Sequence, residues 1–162
     1  MGRRTGSDRR ARYRVVECLG EGADAIVYLA HDEMAGNRVA LKALRARATP
    51  RSRERLRLEF ARLATLRHPR LVAVRDLQIS GPSDAPLAPG QLFFTADHVE
   101  GRPARDHFAD LPAARRGAEA MRLLGEVAAA LSAIHAAGLV HGDVKPDNVL
   151  VGSQGAVLCD LG

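Results

Sequence analysis

Residues 141–148 read His-Gly-Asp-Val-Lys-Pro-Asp-Asn, and this stretch decides which fold the rest of the chain has to support. It contains Lys145, one of only two lysines among the 24 lysine and arginine residues. The other is Lys42, which ends the sequence Val-Ala-Leu-Lys at residues 39–42. Lysine is a compact point charge suited to one phosphate oxygen, whereas arginine is a planar fork. A compositional bias towards arginine explains why lysine is rare, but not why both lysines fall in these motifs. Their placement points to phosphate chemistry.

Oxygen donors lie within and after this stretch. Residues 149–151 and 156–159 are apolar and flank a Gly-Ser-Gln-Gly turn, so they predict a β-hairpin. The hairpin would bring Asn148 and Asp160 to one rim, where they predict a magnesium site, because Mg²⁺ needs few protein ligands when phosphates supply the rest. Asp143 is then available to orient a hydroxyl nucleophile. The alternative is a polar loop with turn-forming Asp and Asn.

The N-terminal part predicts an antiparallel meander of three strands, at residues 13–19, 25–30 and 38–44. The first two are joined by Gly-Glu-Gly-Ala-Asp-Ala at residues 20–25, a loop whose glycines let backbone N–H groups approach phosphate oxygens. The relaxed dinucleotide pattern G-x-G-x-x-A also fits, but it requires a helix after the glycines, and a strand follows. A plain hairpin turn remains open for the loop alone.

A helix is predicted from Thr49-Pro50 to about Leu66. Its apolar positions at 56, 63 and 66 share one face with Glu59, which places a carboxylate in an apolar stripe. A buried ammonium is costly unless a carboxylate answers it, so Glu59 is the expected partner of Lys42. The alternatives are an edge lysine that reaches water and a solvated glutamate.

The rest of the pattern is coarser. Two further strands are predicted at residues 71–79 and 91–99, separated by a proline-rich loop. A long helix is predicted at residues 113–137, with Gly138 as its C-terminal cap. Residues 140–147 then form a loop.

Composition limits the class of protein. The 162 residues suit one domain or part of one, and a hydrophobic fraction of 46% is enough for a core. Residues 1–12 are basic and predict a flexible tail, without the interleaved aromatic residues of a nucleic-acid binder, so no nucleic acid is expected. No stretch has the length and apolarity of a secretory signal or membrane span, and Cys18 and Cys159 lack metal-ligand spacing, which favours a cytoplasmic protein with reduced thiols.

In this order, the motifs closely resemble a eukaryotic-type serine/threonine protein kinase of the bacterial kind, truncated after Asp-Leu-Gly at residues 160–162. The resemblance implies an α+β fold. Residues 13–100 would form the small lobe, with a five-stranded antiparallel sheet and one helix, called αC in the family. Residues 101–162 would start an incomplete, mainly helical large lobe.

The resemblance also implies the roles of individual residues, with ATP and Mg²⁺ as cofactors and a protein Ser or Thr as phosphate acceptor. Lys42 would hold the α- and β-phosphates and be positioned by Glu59. Asp143 would be the catalytic base, and Lys145 would neutralise the transferred phosphate. Asn148 and Asp160 would bind Mg²⁺. The implied contacts to the nucleotide also include Gly20, Gly22, Val27, Ala40, Asp97, Val99 and Leu150.

The sequence departs from the family pattern at several points. Ala25 replaces the third loop glycine, Leu161 replaces a Phe, and Gly142 replaces the Arg that usually precedes the catalytic Asp. Ala96 would be an unusually small gatekeeper beside the purine. The chain stops before the activation segment and the A-P-E motif, so we expect weak activity and marginal solubility from it alone.

Two other readings stay open. One is a small-molecule phosphotransferase of the aminoglycoside or choline kinase type, which shares His-Gly-Asp and a downstream Asn but usually lacks the lysine after the Asp. The other is a non-catalytic kinase remnant that binds nucleotide. The sequence does not fix the oligomeric state or the protein substrate.

Overall fold

The computed structural model describes residues 11–161, and its first part is a five-stranded antiparallel sheet. The strands are β1 (Tyr13–Glu21), β2 (Ala25–Asp32), β3 (Asn37–Leu44), β4 (Val74–Ile79) and β5 (Leu92–Asp97), in the spatial order β1-β2-β3-β5-β4. The predicted sheet is therefore confirmed. Most of the predicted basic tail lies outside the described residues. Arg12, which that tail included, donates to both oxygens of Asp32, so the predicted tail is too long.

The sheet is covered on both faces, which explains the continuous apolar run of β5. On one face, Tyr13 and Phe93 pack edge to face at 5.9 Å between ring centres, and Leu87 from the proline-rich loop covers them. On the other face, Phe94 joins the core, with its ring centre 5.9 Å from that of Phe60 in the helix at residues 50–64. Burial on both faces removes the alternation expected of a half-exposed strand.

Helix α1 (Pro50–Ala64) begins as predicted. The Thr49 hydroxyl accepts a hydrogen bond from the Ser52 N–H at 3.1 Å, and Pro50 occupies the first turn, where no N–H is needed. Leu56 and Leu63 are buried against the sheet. This orientation turns the face that carries Glu59 towards β3.

The second part contains β6 (Gly101–Pro103), α2 (Ala104–Ala109), α3 (Ala113–Ala136), a 3₁₀ turn (Pro146–Asn148), β7 (Val149–Gly152) and β8 (Gly155–Leu158). Strands β6, β7 and β8 form a second, three-stranded sheet. The hairpin of β7 and β8 and the long helix were predicted, whereas β6 and α2 were not. Gly101 is required in β6 because a Cβ there would lie 2.7 Å from the Val151 carbonyl oxygen.

The fourth strand begins later than predicted. Leu71 forms a parallel bridge with Leu158, the Val72 N–H donates to the Leu158 carbonyl, and the Leu158 N–H donates to the Arg70 carbonyl. Residues 70–72 therefore pair with β8 in the second part of the molecule, and only from Val74 does the chain join β5. The fifth strand is also shorter than predicted, ending at Asp97.

Helix α3 ends as predicted at Gly138, whose φ of +72° is the left-handed conformation that favours glycine. Its buried positions include Leu123 and Ile134, while Met121 and Leu124 are exposed. In residues 11–161, no helix is long and apolar enough to cross a bilayer.

Candidate functional site

An apolar cavity of about 260 Å³ lies between the two parts of the chain. This volume is near the lower end of the range for ligand pockets, about 300 Å³. It receives side chains from β1, β2, β3 and β5 on one side and from β7 on the other. Of the residues predicted to contact a nucleotide, the cavity is lined by Gly20, Val27, Ala40, Lys42, Asp97, Val99 and Leu150. Gly22 does not line it.

The end of β5 and the residues that follow it supply polar groups at one edge of this cavity. Arg75 donates to both carboxylate oxygens of Asp97, at 2.6 and 2.9 Å, which holds this side chain in place. Within residues 11–161, no hydrogen bond engages the backbone N–H of Val99. That N–H is consequently available to a ligand in the cavity.

Sequence reasoning missed part of the lining. Val72 and Phe94 reach the cavity, as do His98 and Cys159. The apolar character of Phe94 marks it only as a core residue, and Val72 enters because residues 70–72 pair with β8. Ala96, the predicted gatekeeper, also lines the cavity and is buried.

A second, polar cavity of about 640 Å³ adjoins the first, and the two share Lys42 and Asp160. The predicted catalytic and metal-binding residues all line it: Lys42, Glu59, Asp143, Lys145, Asn148 and Asp160. The structure therefore brings these six side chains to one cleft, although they span 119 positions of the sequence from Lys42 to Asp160.

Lys42 is the centre of this arrangement. Its Nζ lies 2.7 Å from Glu59 Oε1 and 2.9 Å from Asp160 Oδ1, and only 18% of its side chain is exposed. Burial alone would lower the pKa of Lys42, but the Asp160 and Glu59 carboxylates outweigh it and raise the pKa. Burial raises the pKa of Glu59, against the opposing effect of the Lys42 ammonium. Lys42 therefore keeps its positive charge at the junction of the two cavities.

Asp160 has a left-handed backbone, with a φ of +56°. Aspartate tolerates this conformation better than most residues other than glycine. The next residue, Leu161, is buried in the core, which anchors the backbone that presents the carboxylate. The Asp160 side chain is 42% exposed and therefore remains accessible from the polar cavity.

The loop at residues 141–148 is held by its own polar groups. The Asp143 carboxylate accepts hydrogen bonds from Lys145 Nζ at 2.6 Å and from Asn148 Nδ2 at 3.0 Å. The hydrogen bond from Lys145 lowers the pKa of Asp143, with a smaller contribution from Asn148. Asp143 is consequently a carboxylate at neutral pH, fixed in orientation and exposed on the cavity side.

His141, which the sequence marks only as the start of the loop, joins the loop to Asp160. Its ring is almost fully buried, and burial lowers its pKa, so the imidazole is neutral. Nδ1 accepts the Asp143 N–H at 3.3 Å, which leaves Nε2 to donate to the Cys159 carbonyl at 3.0 Å. The imidazole therefore links the backbone of Asp143 to the backbone of Cys159, which is the residue before Asp160.

The polar groups fit a hard divalent cation that has further oxygen ligands. Both hydrogen bonds of the Asn148 side chain are donated by its nitrogen, and in the described residues none goes to its amide oxygen. In residues 11–161, no cluster of three or more His, Cys, Asp or Glu could bind a metal by itself. Asn148 and Asp160 are thus suited to a metal ion that phosphates also coordinate.

Comparison with known proteins places this cleft in a family. The sequence profile described as "Protein kinase domain" matches residues 13–162. The serine/threonine-protein kinase PksC of Streptomyces coelicolor is 35% identical over 152 residues, which are 90% of this chain and 26% of that protein. PknB of Mycolicibacterium smegmatis, also a serine/threonine-protein kinase, is 35% identical over 149 residues, which are 90% and 23% of the two chains.

Solved structures agree with the sequence comparison. The crystal structure of the Mycobacterium tuberculosis PknI kinase domain is 35% identical, with a TM-score of 0.73, and the match covers 93% of this chain and 58% of that one. The chain spans about a quarter of the length of these curated bacterial relatives. From this match and the geometry of its cleft, the chain belongs to the protein kinase family through residues 13–162.

Proposed function

We propose that this chain is the ATP-binding part of a serine/threonine protein kinase, with the apolar cavity as the site of the purine and the polar cavity as the site of the phosphates. The observation that carries the proposal is the position of Lys42 between Glu59 and Asp160, at the boundary of the two cavities. A positive charge at the boundary of an apolar and a polar cavity complements a ligand with an apolar end and an anionic end.

The individual roles follow from this placement. The backbone of Asp97 and the N–H of Val99 would pair with the purine edge, with Ala40 and Leu150 on its two faces. Gly20 and Val27 would cover the ligand from β1 and β2. Gly22 lies outside the lining, so its contribution is to the shape of the loop.

Asn148 and Asp160 would hold Mg²⁺, which supplies charge neutralisation of the phosphates when bound. Lys42 contributes a fixed positive charge, and Glu59 prevents it from turning away. Lys145 carries a second positive charge on the cavity wall, 2.6 Å from Asp143. Such charges stabilise phosphoryl transfer because they are in place before the reaction.

Asp143 orients the acceptor hydroxyl of a protein Ser or Thr. Since its pKa is lowered, it is a weak base, and it accepts the hydroxyl proton only late in the transfer. The position of Lys145 beside Asp143 favours a protein kinase over a small-molecule phosphotransferase. A cytoplasmic location, where ATP is present, is part of the same proposal.

Calorimetric titration of the 162-residue chain with Mg-ATP tests the binding part. We expect binding by the native chain and its loss in Asp160→Asn, with the melting temperature retained. Phosphoryl transfer is tested with a Ser/Thr peptide library, using Asp143→Asn as the inactive control, and with aminoglycosides and choline as competing acceptors. Binding without transfer to any acceptor would favour the non-catalytic reading, and no binding at all would reject the proposed function.

A further inference from the structure

The glycine loop, residues 20–25, carries two acidic side chains, and each faces an arginine outside the loop. Arg45, the residue after β3, donates from Nη2 to Glu21 Oε2 at 2.8 Å. Arg55 of α1 lies 3.9 Å from Asp24. Acidic residues are unexpected in a loop that covers phosphates, because like charges repel. The two arginines are therefore candidates for neutralising these acidic side chains, a role that the sequence pattern does not predict.

Arg45 makes three separate contacts with this loop. Besides the ion pair with Glu21, its Nε donates to the Gly22 carbonyl at 3.1 Å, and its backbone N–H donates to the Asp24 carbonyl at 2.9 Å. The planar guanidinium suits the first two contacts, since it reaches two acceptors in fixed directions. One residue thus fastens the loop at three points: Glu21, Gly22 and Asp24.

The contact with Gly22 sets the direction of the next amide. The peptide bond between Gly22 and Ala23 is trans, so the carbonyl and the following N–H point in opposite directions. With the carbonyl turned to Arg45, the Ala23 N–H is turned away from it. Within residues 11–161, no hydrogen bond engages this N–H, whereas the Gly22 N–H is used by the Ala25 carbonyl.

We propose that Arg45 is a positioning residue for the phosphates of the nucleotide: it fastens the glycine loop with the Ala23 N–H unpaired and neutralises the Glu21 carboxylate. The proposal rests on the proposed function, because it assumes that the loop covers a triphosphate. Arg45 does not itself line either cavity, so it acts through the loop.

We expect Arg45 to act more through its hydrogen bond to the Gly22 carbonyl than through the ion pair with Glu21. The side chains of Arg45 and Glu21 are 42% and 60% exposed, and an exposed pair alone contributes little. A matched control exists in Arg14 of β1 and Glu33, the residue after β2, which also pair at 2.8 Å, with exposures of 63% and 47%, but lie outside the loop. A general loss of a surface pair is therefore separable from loss of the loop attachment.

The test uses the full 162-residue chain and calorimetric titration with Mg-ATP and with adenosine. Arg45→Met is expected to weaken Mg-ATP binding about tenfold while adenosine binding changes less than about twofold, since Arg45 contacts residues 21–24 and, of the loop, only Gly20 lines the proposed purine cavity. Arg45→Lys should fall between, because it keeps the charge and loses the fork. Arg14→Met should change neither ligand.

A charge-removing variant separates the two parts of the effect. Adding Glu21→Gln to Arg45→Met is expected to recover part of the lost Mg-ATP affinity by removing the exposed carboxylate, without full recovery.

Equal loss of Mg-ATP and adenosine affinity in Arg45→Met, or an effect no larger than that of Arg14→Met, would overturn the proposal. If the native chain binds Mg-ATP and Arg45→Met binds it equally well, only the role of Arg45 fails. If the native chain binds neither ligand, both the proposed function and the role of Arg45 are rejected.

Discussion

Replacing Lys42 with Met, in the absence of nucleotide and divalent metal, is expected to destabilise the chain by leaving Glu59 without its counter-charge. The Lys42 and Glu59 side chains are 18% and 11% exposed, so the ammonium and the carboxylate are both largely desolvated. Removing one partner of a buried pair costs about 3–5 kcal/mol. Asp160 is 42% exposed and regains water, and Met fills the space of the lysine stem, so we expect about 2 kcal/mol.

The loss depends on pH with a definite sign. Burial raises the pKa of Glu59, and the Lys42 ammonium opposes that rise, so Lys42→Met raises the pKa of Glu59 further. A group whose pKa is raised in the folded state contributes stability that is present below its unfolded value, here 4.5, and lost as the pH rises through the folded value. The deficit of Lys42→Met is therefore smallest at acidic pH and grows towards neutrality.

Thermal denaturation followed by circular dichroism, over a series of pH values, measures this deficit. At neutral pH, about 2 kcal/mol corresponds to a fall in melting temperature of about 4–8 °C for a chain of this length. Adding Glu59→Gln should restore part of the loss, since the uncompensated charge is then gone. Lys145→Met is the control, because that ion pair with Asp143 is about half exposed and contributes little to stability.

Two results would refute this reasoning. One is a Lys42→Met protein whose melting temperature at neutral pH equals that of Lys145→Met. The other is a deficit that does not change with pH, which would attribute the loss to packing and not to the charge of Glu59.

Three further predictions use the same chain. Ala96→Met narrows the apolar cavity in which we propose that the purine binds, so a purine analogue with a bulky substituent should lose affinity in titration calorimetry while Mg-ATP does not; unchanged analogue binding would contradict the position of Ala96. Burial raises the pKa of Cys159 to about 12, so iodoacetamide should modify the exposed Cys18 first, as measured by peptide mass spectrometry, and equal rates would count against it. Burial lowers the pKa of His141, so its contribution to stability is present above the ordinary value of 6.5 and lost as the pH falls below it; His141→Gln should remove this part of the slope in denaturation experiments, and an unchanged slope would exclude it.

The sequence predicts well what is encoded locally. Thr49 and Pro50 start α1, and Gly138 ends α3, because the backbone groups at helix ends are satisfied by near neighbours. The spacing of apolar residues in α1 places Glu59 on the inner face, and the cost of a buried ammonium then selects it as the partner of Lys42. Periodicity and charge burial were enough for this pair, without any knowledge of the tertiary structure.

Other features depend on pairings between distant segments, and no local pattern encodes them. Residues 70–72 look like the start of a strand in the first sheet, but the Val72 N–H donates to the Leu158 carbonyl and the Leu158 N–H donates to the Arg70 carbonyl, across the two parts of the molecule. Strand β6 is only Gly-Arg-Pro and has no hydrophobic period to detect. The attachment of the glycine loop to Arg45 is likewise invisible in a chain with so many arginines.

The same distant pairings explain why the charges of the cleft can be changed one at a time. Asp160 is placed by backbone and ring contacts of its neighbours: the Cys159 N–H donates to the Asn148 carbonyl at 2.9 Å, and the Cys159 carbonyl accepts from His141. β8 is in turn fixed to residues 70–72 by backbone hydrogen bonds. None of these contacts involves the Lys42 ammonium. Removing that ammonium therefore alters the electrostatics of the cleft while the two parts of the chain keep their register, which is why the pH dependence of Lys42→Met reports on Glu59 and not on a rearranged fold.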